Sequence, residues 1–221
     1  MSAESGIATF RGGSGIWEGH RIEDVCTPDA LARNPDIVCG FYDDLRTIVA
    51  AASPNPGHIA VADLERHWHN AGNGSFLLVT QNVDDLHERA GSKSLIHMHG
   101  ELNAASCMEC GWSGPRHSAL EDDRECAICE RDALRPDIVL FSEAARQLAR
   151  IDQALEACDL FVAIGTSGTV YPASDFVKRA KAAGARTMLF NTEPTESIDQ
   201  FDDFKMGPCG VTLPEWVSEM T

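Results

Sequence analysis

Three short runs of uninterrupted apolar residues punctuate the chain, at positions 76–80 (Phe-Leu-Leu-Val-Thr), 160–164 (Leu-Phe-Val-Ala-Ile) and 187–190 (Thr-Met-Leu-Phe). Each is closed by a polar or glycine-rich turn, the pattern of strands covered on both faces in a parallel sheet. Helical patterns lie between and before them. Asn34-Pro35 opens one, with Ile37, Phe41, Leu45 and Ile48 as its apolar stripe. A second starts near Pro56 and carries Ile59, Leu64 and Trp68. A third runs from about Ser174 through Phe176 and Val177 to a stop at Gly184. Strands alternating with helices predict an α/β fold, a doubly wound parallel sheet whose ligands bind beyond the carboxyl ends of the strands.

Those strand ends are polar. The first run breaks into Gln81-Asn82-Val83-Asp84, the second into Gly165-Thr166-Ser167-Gly168, the third into Asn191-Thr192-Glu193. A glycine and two hydroxyls after a strand let backbone N–H groups approach a phosphate, and an acidic residue after a later strand can hold ribose hydroxyls. Together they favour a nucleotide site. Between the first and second runs stand His97-Met98-His99-Gly100 and two C-x2-C pairs, Cys107/Cys110 and Cys126/Cys129, with fifteen residues between the pairs. That spacing is a structural zinc ribbon: four thiolates suit zinc and leave no open position for catalysis. Two thiol pairs acting in redox chemistry are the alternative.

Composition narrows the setting. The 221 residues carry 18 basic and 34 acidic side chains, 18 − 34 = −16. Such a surface repels phosphate backbones, so no nucleic-acid partner is expected, and cationic partners such as lysine-bearing proteins are favoured. No apolar stretch reaches the ~20 residues of a spanning helix, and the first residues have neither the basic nor the apolar region of a secretion signal. The expectation is a reducing cytoplasm, with Cys26, Cys39, Cys158 and Cys209 as ordinary thiols and no membrane association.

The ordered motifs SAESGIATFR (residues 2–11), TQNVDDLHERAGS (80–92), His97-Met98-His99-Gly100, GTSGTVYPA (165–173), Asn191-Thr192-Glu193-Pro194 and Gly207-Pro208-Cys209-Gly210 resemble those of the sirtuins, NAD-dependent protein deacylases, and most closely the class III bacterial type. The resemblance implies a Rossmann-like NAD domain over 1–101 and 136–221, with a helical insertion at about 27–72, and a small zinc module over 102–135. It implies NAD and one structural zinc as cofactors and acyl-lysine proteins or peptides as substrates, with nicotinamide, free lysine and O-acyl-ADP-ribose as products. His99 would be the general base, since an imidazole with pKa near ~6.5 can take a hydroxyl proton at neutral pH. Its neighbour Gly100 would let the ligand approach, and His97 is expected on the other face of the strand, filling a buried polar niche. The cofactor would be held by Ser2, Ala3, Glu4, Phe10, Arg11, Trp17, Gln81, Asn82, Val83, Asp84, Gly165, Thr166, Ser167, Asn191, Thr192, Glu193 and Cys209, with Asn82 and Asp84 at the nicotinamide, Gln81 at a ribose and Phe10 on a covering loop. The substrate would meet Tyr42, Arg46, Val139, Phe141, Ser142 and Glu143.

Three departures from the family pattern shape further expectations. Met1 stands where the family has the residue before its phosphate-binding serine, so the first, central strand is missing, and a translation start further upstream is expected. Tyr42 is kept, but Leu45 occupies the position of the arginine that grips acidic acyl groups; Arg46 is one residue late, about 100° around a helix. With Asp43 and Asp44 adding negative charge nearby, neutral acyl groups such as acetyl are expected to be favoured over succinyl or malonyl. Ser142 replaces a glycine in the peptide-docking segment. A sirtuin-fold ADP-ribosyltransferase or NAD hydrolase, or a non-catalytic truncated member, are the competing readings.

Overall fold

The computed structural model describes residues 1–8, 16–17, 19–72 and 74–221, with the backbone alone at Ile16. A 3-10 turn (Ser2–Ser5) precedes a two-residue hairpin, β1 (Ile16–Trp17) and β2 (His20–Arg21). Four helices follow: α1 (Ile22–Val25), α2 (Pro28–Arg33), α3 (Pro35–Ala51) and α4 (Pro56–Asn70). Next come β3 (Leu78–Thr80), α5 (Leu86–Ala90), β4 (Leu95–His97), β5 (Gly100–Cys107), β6 (Ser113–Pro115) and β7 (Leu134–Ile138). The chain ends with α6 (Leu148–Ala157), β8 (Leu160–Ile164), α7 (Phe176–Ala182), β9 (Arg186–Asn191), β10 (Asp203–Met206) and α8 (Cys209–Met220). The three apolar runs are therefore β3, β8 and β9, and the three helical patterns are α3, α4 and α7. Asn55 caps α4 reciprocally with His58, its side chain accepting from Gly57 and His58 N–H while the His58 ring accepts from Asn55 N–H.

The strands form two parallel sets, β10-β9-β8 and β3-β4, and an antiparallel sheet, β6-β5-β7. Among the described residues no strand pairs with the free edge of β3 or of β8. A cavity of about 1380 Å³ runs along both and onward to the polar strand ends, with Leu78, Val79, Phe161, Val162, Trp68 and Trp216 among its apolar walls. Burial follows pairing: the interior residues of β9, paired on both sides, are buried, whereas Leu78, Val79 and most of β8 stay half-exposed.

The stripe of α3 differs by one residue from expectation. Val38, Phe41, Tyr42, Leu45 and Val49 are buried, while Ile37 and Ile48 face solvent. The buried set packs against Ile7, Cys26, Leu102 and Ile138. The polar positions Asp36, Asp43 and Arg46 turn instead to the antiparallel sheet and its cysteine loops. No helix among the described residues is long and apolar enough to cross a membrane.

Candidate active site and metal centre

The loop after β3 is held along its whole length by the segment that enters β5. Four consecutive carbonyls each accept one hydrogen bond from it: Thr80 from Met98 N–H (3.1 Å), Gln81 from the His99 ring (3.0 Å), Asn82 from the His97 ring (3.2 Å) and Val83 from Leu102 N–H (2.9 Å). A carbonyl can only accept, so Nδ1 of His99 carries a proton. Burial pushes the His99 pKa down, the Gln81 carbonyl offsetting part of that, so the ring is neutral at physiological pH with its lone pair on Nε2. The ring lines the cavity.

Two expectations about this segment change. His97 and His99 reach the same loop, because residues two apart along an extended chain share a face. Gly100 serves packing: at φ 84, a Cβ there would overlap the Asp137 carbonyl of β7.

Beside His99, Ser2 Oγ accepts from Asn82 Nδ2 at 2.8 Å and also bonds the Asp84 carboxyl, whose Oδ1 accepts from Leu86 N–H. Asp84 is 4% exposed, and burial raises its pKa. The three strand ends meet at Thr166: Gln81 Nε2 donates to its Oγ1 (3.3 Å), and Asn191 Nδ2 to its carbonyl (3.0 Å). Gly165, at φ 59, lets the Met1 nitrogen pass where a Cβ would stand 2.9 Å away. Ser2, Ala3, Trp17, Val83, Thr166 and Ser167 line the same cavity. Thr192 and Glu193 are exposed beyond β9. Glu4 and Cys209 face each other: the Glu4 carboxylate accepts from Cys209 N–H (2.7 Å), Cys209 Sγ (2.9 Å) and Gly210 N–H (2.9 Å), closing the N-terminus of α8. Phe10 and Arg11 lie outside the described residues. The donor and acceptor set fits a dinucleotide: amide groups and a carboxylate at one end of the cavity, hydroxyls and a glycine at the next strand end.

Of the substrate residues, Tyr42, Val139, Phe141, Ser142 and Glu143 line the cavity. Val139 and Phe141 give their N–H groups to the His99 and Cys26 carbonyls. Ser142 stands at φ 72, where a side chain is strained and glycine is favoured. Glu143 is engaged by both Arg135 guanidinium nitrogens and by Leu140 N–H, fixing the turn. The structure does not bring Arg46 to this group. Its guanidinium bonds the Leu102 and Ser118 carbonyls and lies 3.0 Å from Asp43. Asp43 in turn accepts from Leu120 and Glu121 N–H, so its charge is spent away from the cavity.

The four cysteines gather between the β5–β6 turn and the loop before β7. Their sulfurs all lie within 4.8 Å of one another, with Cys107–Cys129 at 3.6 Å and Cys110–Cys126 at 3.7 Å. A zinc tetrathiolate with bonds of about 2.3 Å has sulfur–sulfur edges of about 3.8 Å, so these residues fit one structural zinc.

Residues 1–172 match the Sir2 family. The chain belongs to that family. Among Sir2 relatives, the NAD-dependent protein deacylase of Caulobacter vibrioides is 45% identical over 221 residues, covering 100% of this chain and 92% of its own. A solved Sir2 homologue in complex with NAD superposes with a TM-score of 0.88 at 36% identity, over 99% of this chain and 84% of that one. A second Sir2 structure, bound to a myristoylated histone peptide, gives 0.74 at 32% identity over 89% and 84%. The Sir2 likeness accounts for the Rossmann-like α/β fold and for the four-cysteine cluster beside it.

Proposed function

We propose that this chain is an NAD-dependent protein lysine deacylase that acts on acyl-lysine peptides and releases nicotinamide and O-acyl-ADP-ribose, with His99 as its general base. The observation that carries the residue assignment is the His99 ring. It is neutral, oriented through Nδ1 by the Gln81 carbonyl, and open to the cavity through the nitrogen that can take a proton. When bound, NAD supplies a ribose carbon that gives up nicotinamide and receives the acyl oxygen.

The rest of the reaction falls to the chain itself. Asn82 and Asp84, fixed through Ser2, present a donor and an acceptor to an amide. Gln81 and Thr166 present polar groups to sugar and phosphate oxygens. Cys107, Cys110, Cys126 and Cys129 would hold zinc and so cross-link the cysteine module, residues 102–135, within itself, beside the nucleotide-binding part, 1–101 and 136–221. Tyr42 and Leu45 are buried on the α3 face that packs against Ile138, and Arg135, whose charge reaches Tyr42, is paired with Glu143, which suits a neutral acyl chain. The segment from Val139 through the turn at Ser142 and Glu143 lines the cavity where a peptide would lie. A non-catalytic member is the second reading, and the unpaired edges of β3 and β8 are the observation that favours it.

The pH dependence of kcat/KM tests the base. With the His99 pKa lowered by burial, the acid limb falls below pH 6.5, and activity is lost as pH drops through that limb because the base becomes protonated. An acid limb above pH 7 would remove His99 from the role.

A further inference from the structure

His97 is the other imidazole tethering the loop after β3, and it is held from both ends. Nδ1 faces the Asn82 carbonyl at 3.2 Å and Nε2 faces the Glu88 carboxylate at 2.6 Å, with the residue 8% exposed. Both partners are acceptors, so both ring nitrogens carry protons and the ring is a cation. Burial alone would lower its pKa, but the Glu88 hydrogen bond and charge outweigh that and raise it, while His97 holds the Glu88 carboxyl below its ordinary range. The other charged or titratable groups around the ring are Glu101 on β5, Asp84 on the loop and His87 on α5.

The connectivity gives this pair a task. Glu88 stands on α5, the helix into which the loop runs, so the His97 ring bridges the helix to the loop that precedes it. Of the four tethered carbonyls, Asn82 lies between Gln81, whose carbonyl orients His99, and Val83, which precedes Asp84. The Asn82 side chain itself reaches Ser2. Release of this carbonyl frees the Asn82–Val83 peptide, and with it the backbone torsions of Asn82 that carry its side chain on one side and the neighbouring Gln81–Asn82 peptide, whose carbonyl stands behind the base, on the other.

We propose that the Glu88–His97 ion pair is a positioning device for the cofactor loop: it fixes the Asn82 peptide, and through it the Asn82 side chain and the Gln81–His99 contact. The inference rests on the deacylase reading for what the loop does, and not for whether the loop is clamped.

The experiment compares wild type with His97→Ala, Glu88→Ala, Glu88→Gln and the double variant His97→Ala/Glu88→Ala. Hydrogen–deuterium exchange of the loop at 81–86, without ligand, is expected to quicken about tenfold in both alanine variants, the scale of a lost hydrogen bond to a charged group, with β8 and β9 unchanged. Steady-state kinetics with NAD and an acetyl-lysine peptide are expected to show kcat/KM for NAD down about tenfold and KM for peptide unmoved. Glu88→Gln, which still accepts or donates at the ring, recovers most of the loss, and the double variant is no worse than His97→Ala because the pair acts as a unit. Unchanged loop exchange overturns the clamp. So do additive losses in the double variant, or a peptide KM that rises with the NAD KM. A wild type with no turnover but a loop that loosens in the alanine variants refutes the deacylase reading and leaves the clamp standing.

Discussion

At the scale of single residues, the most consequential substitution is Leu45. It is 2% exposed, one turn from the buried Tyr42, and the next residue, Arg46, about 100° around α3, is bound to main-chain carbonyls. Among the described residues the guanidinium whose charge reaches Tyr42, that of Arg135, is already held by Glu143, so a carboxylate entering this pocket loses its water without a free cation, a cost that a neutral acyl chain avoids. The kcat/KM for acetyl-lysine peptide is therefore expected to exceed that for succinyl-lysine peptide by tenfold or more, and Leu45→Arg is expected to narrow the gap; a native preference for succinyl-lysine would contradict this. His58 and His87 form a second residue-scale feature. Their rings meet edge to face at 4.8 Å, and His58 Nε2 and His87 Nδ1 have no hydrogen-bond partner among the described residues. Burial, mainly, drives their pKa values from 6.5 down to about 3 and about 4. The unfolded chain binds protons first, so their contribution is complete above pH 6.5 and is lost as pH falls from 6.5 towards 4. At about 1.4 kcal/mol per pKa unit, the loss is of order 3 kcal/mol for His87 alone. His97 acts in the opposite sense, its contribution fading at higher pH. Urea unfolding at pH 7 and pH 5 is expected to give a lower midpoint at pH 5, above the range in which most carboxylates titrate; equal midpoints would contradict it. The sequence disclosed the residue types of the site because Asn82 and Asp84 sit in one contiguous motif and His99 in a short one that closely follows it. It did not disclose the partners of Arg46 or Glu143, which are set by residues remote in the chain.

At the scale of elements, α3 joins the apolar pocket to the cysteine module. One face carries Phe41, Tyr42 and Leu45; the other carries Asp36 on Arg124, Asp43 on two backbone N–H groups and Arg46 on two carbonyls. Arg46→Ala leaves the part-buried Leu102 carbonyl, the exposed Ser118 carbonyl and Asp43 without their cation, and is expected to lower stability by about 2 kcal/mol. Its measurable sign is faster proteolysis within 108–131 at unchanged secondary structure; a loss below about 0.5 kcal/mol would place Arg46 among ordinary surface residues. The α3 pattern was visible in sequence, but its phase was off by one residue. Ile37 and Ile48 suggested a stripe that the polar contacts of Asp36, Asp43 and Arg46 rotate away from the core. Strand β7 was hidden for a related reason: Pro136 and Asp137 interrupt the apolar run that marks a buried strand, yet Asp137 is 3% exposed and paired with Arg146, nine residues on. Helix α8 was masked by Pro214 within it.

At the scale of the whole molecule, zinc and the nucleotide act on different parts. The cysteine module has a small core, Ala105, Leu120, Ala133 and Leu134 with the cysteines and Cys39, too small to hold the ribbon without metal. Chelation is expected to release one zinc per chain and to loosen 102–135 first, read by exchange of that segment, while β8 and β9 keep their protection; a fold indifferent to metal removal would contradict a structural zinc. The apolar runs disclosed parallel strands, which fall into the two sets β3-β4 and β10-β9-β8, and the order of their chemistry, three strand ends converging on Thr166. The paired status of β3 and β8 required coordinates, since a strand's free edge leaves no mark on its own sequence. The central claim is that this assembly deacylates lysine at the expense of NAD, with His99 as base. The direct measurement is mass spectrometry of the protein incubated with NAD and an acetyl-lysine peptide, beside its His99→Ala variant. The account predicts free lysine peptide, nicotinamide and O-acetyl-ADP-ribose in equal amounts from the wild type, and a loss of at least hundredfold in the variant. ADP-ribosylated protein, free ADP-ribose with the peptide still acetylated, or no turnover at all would contradict it.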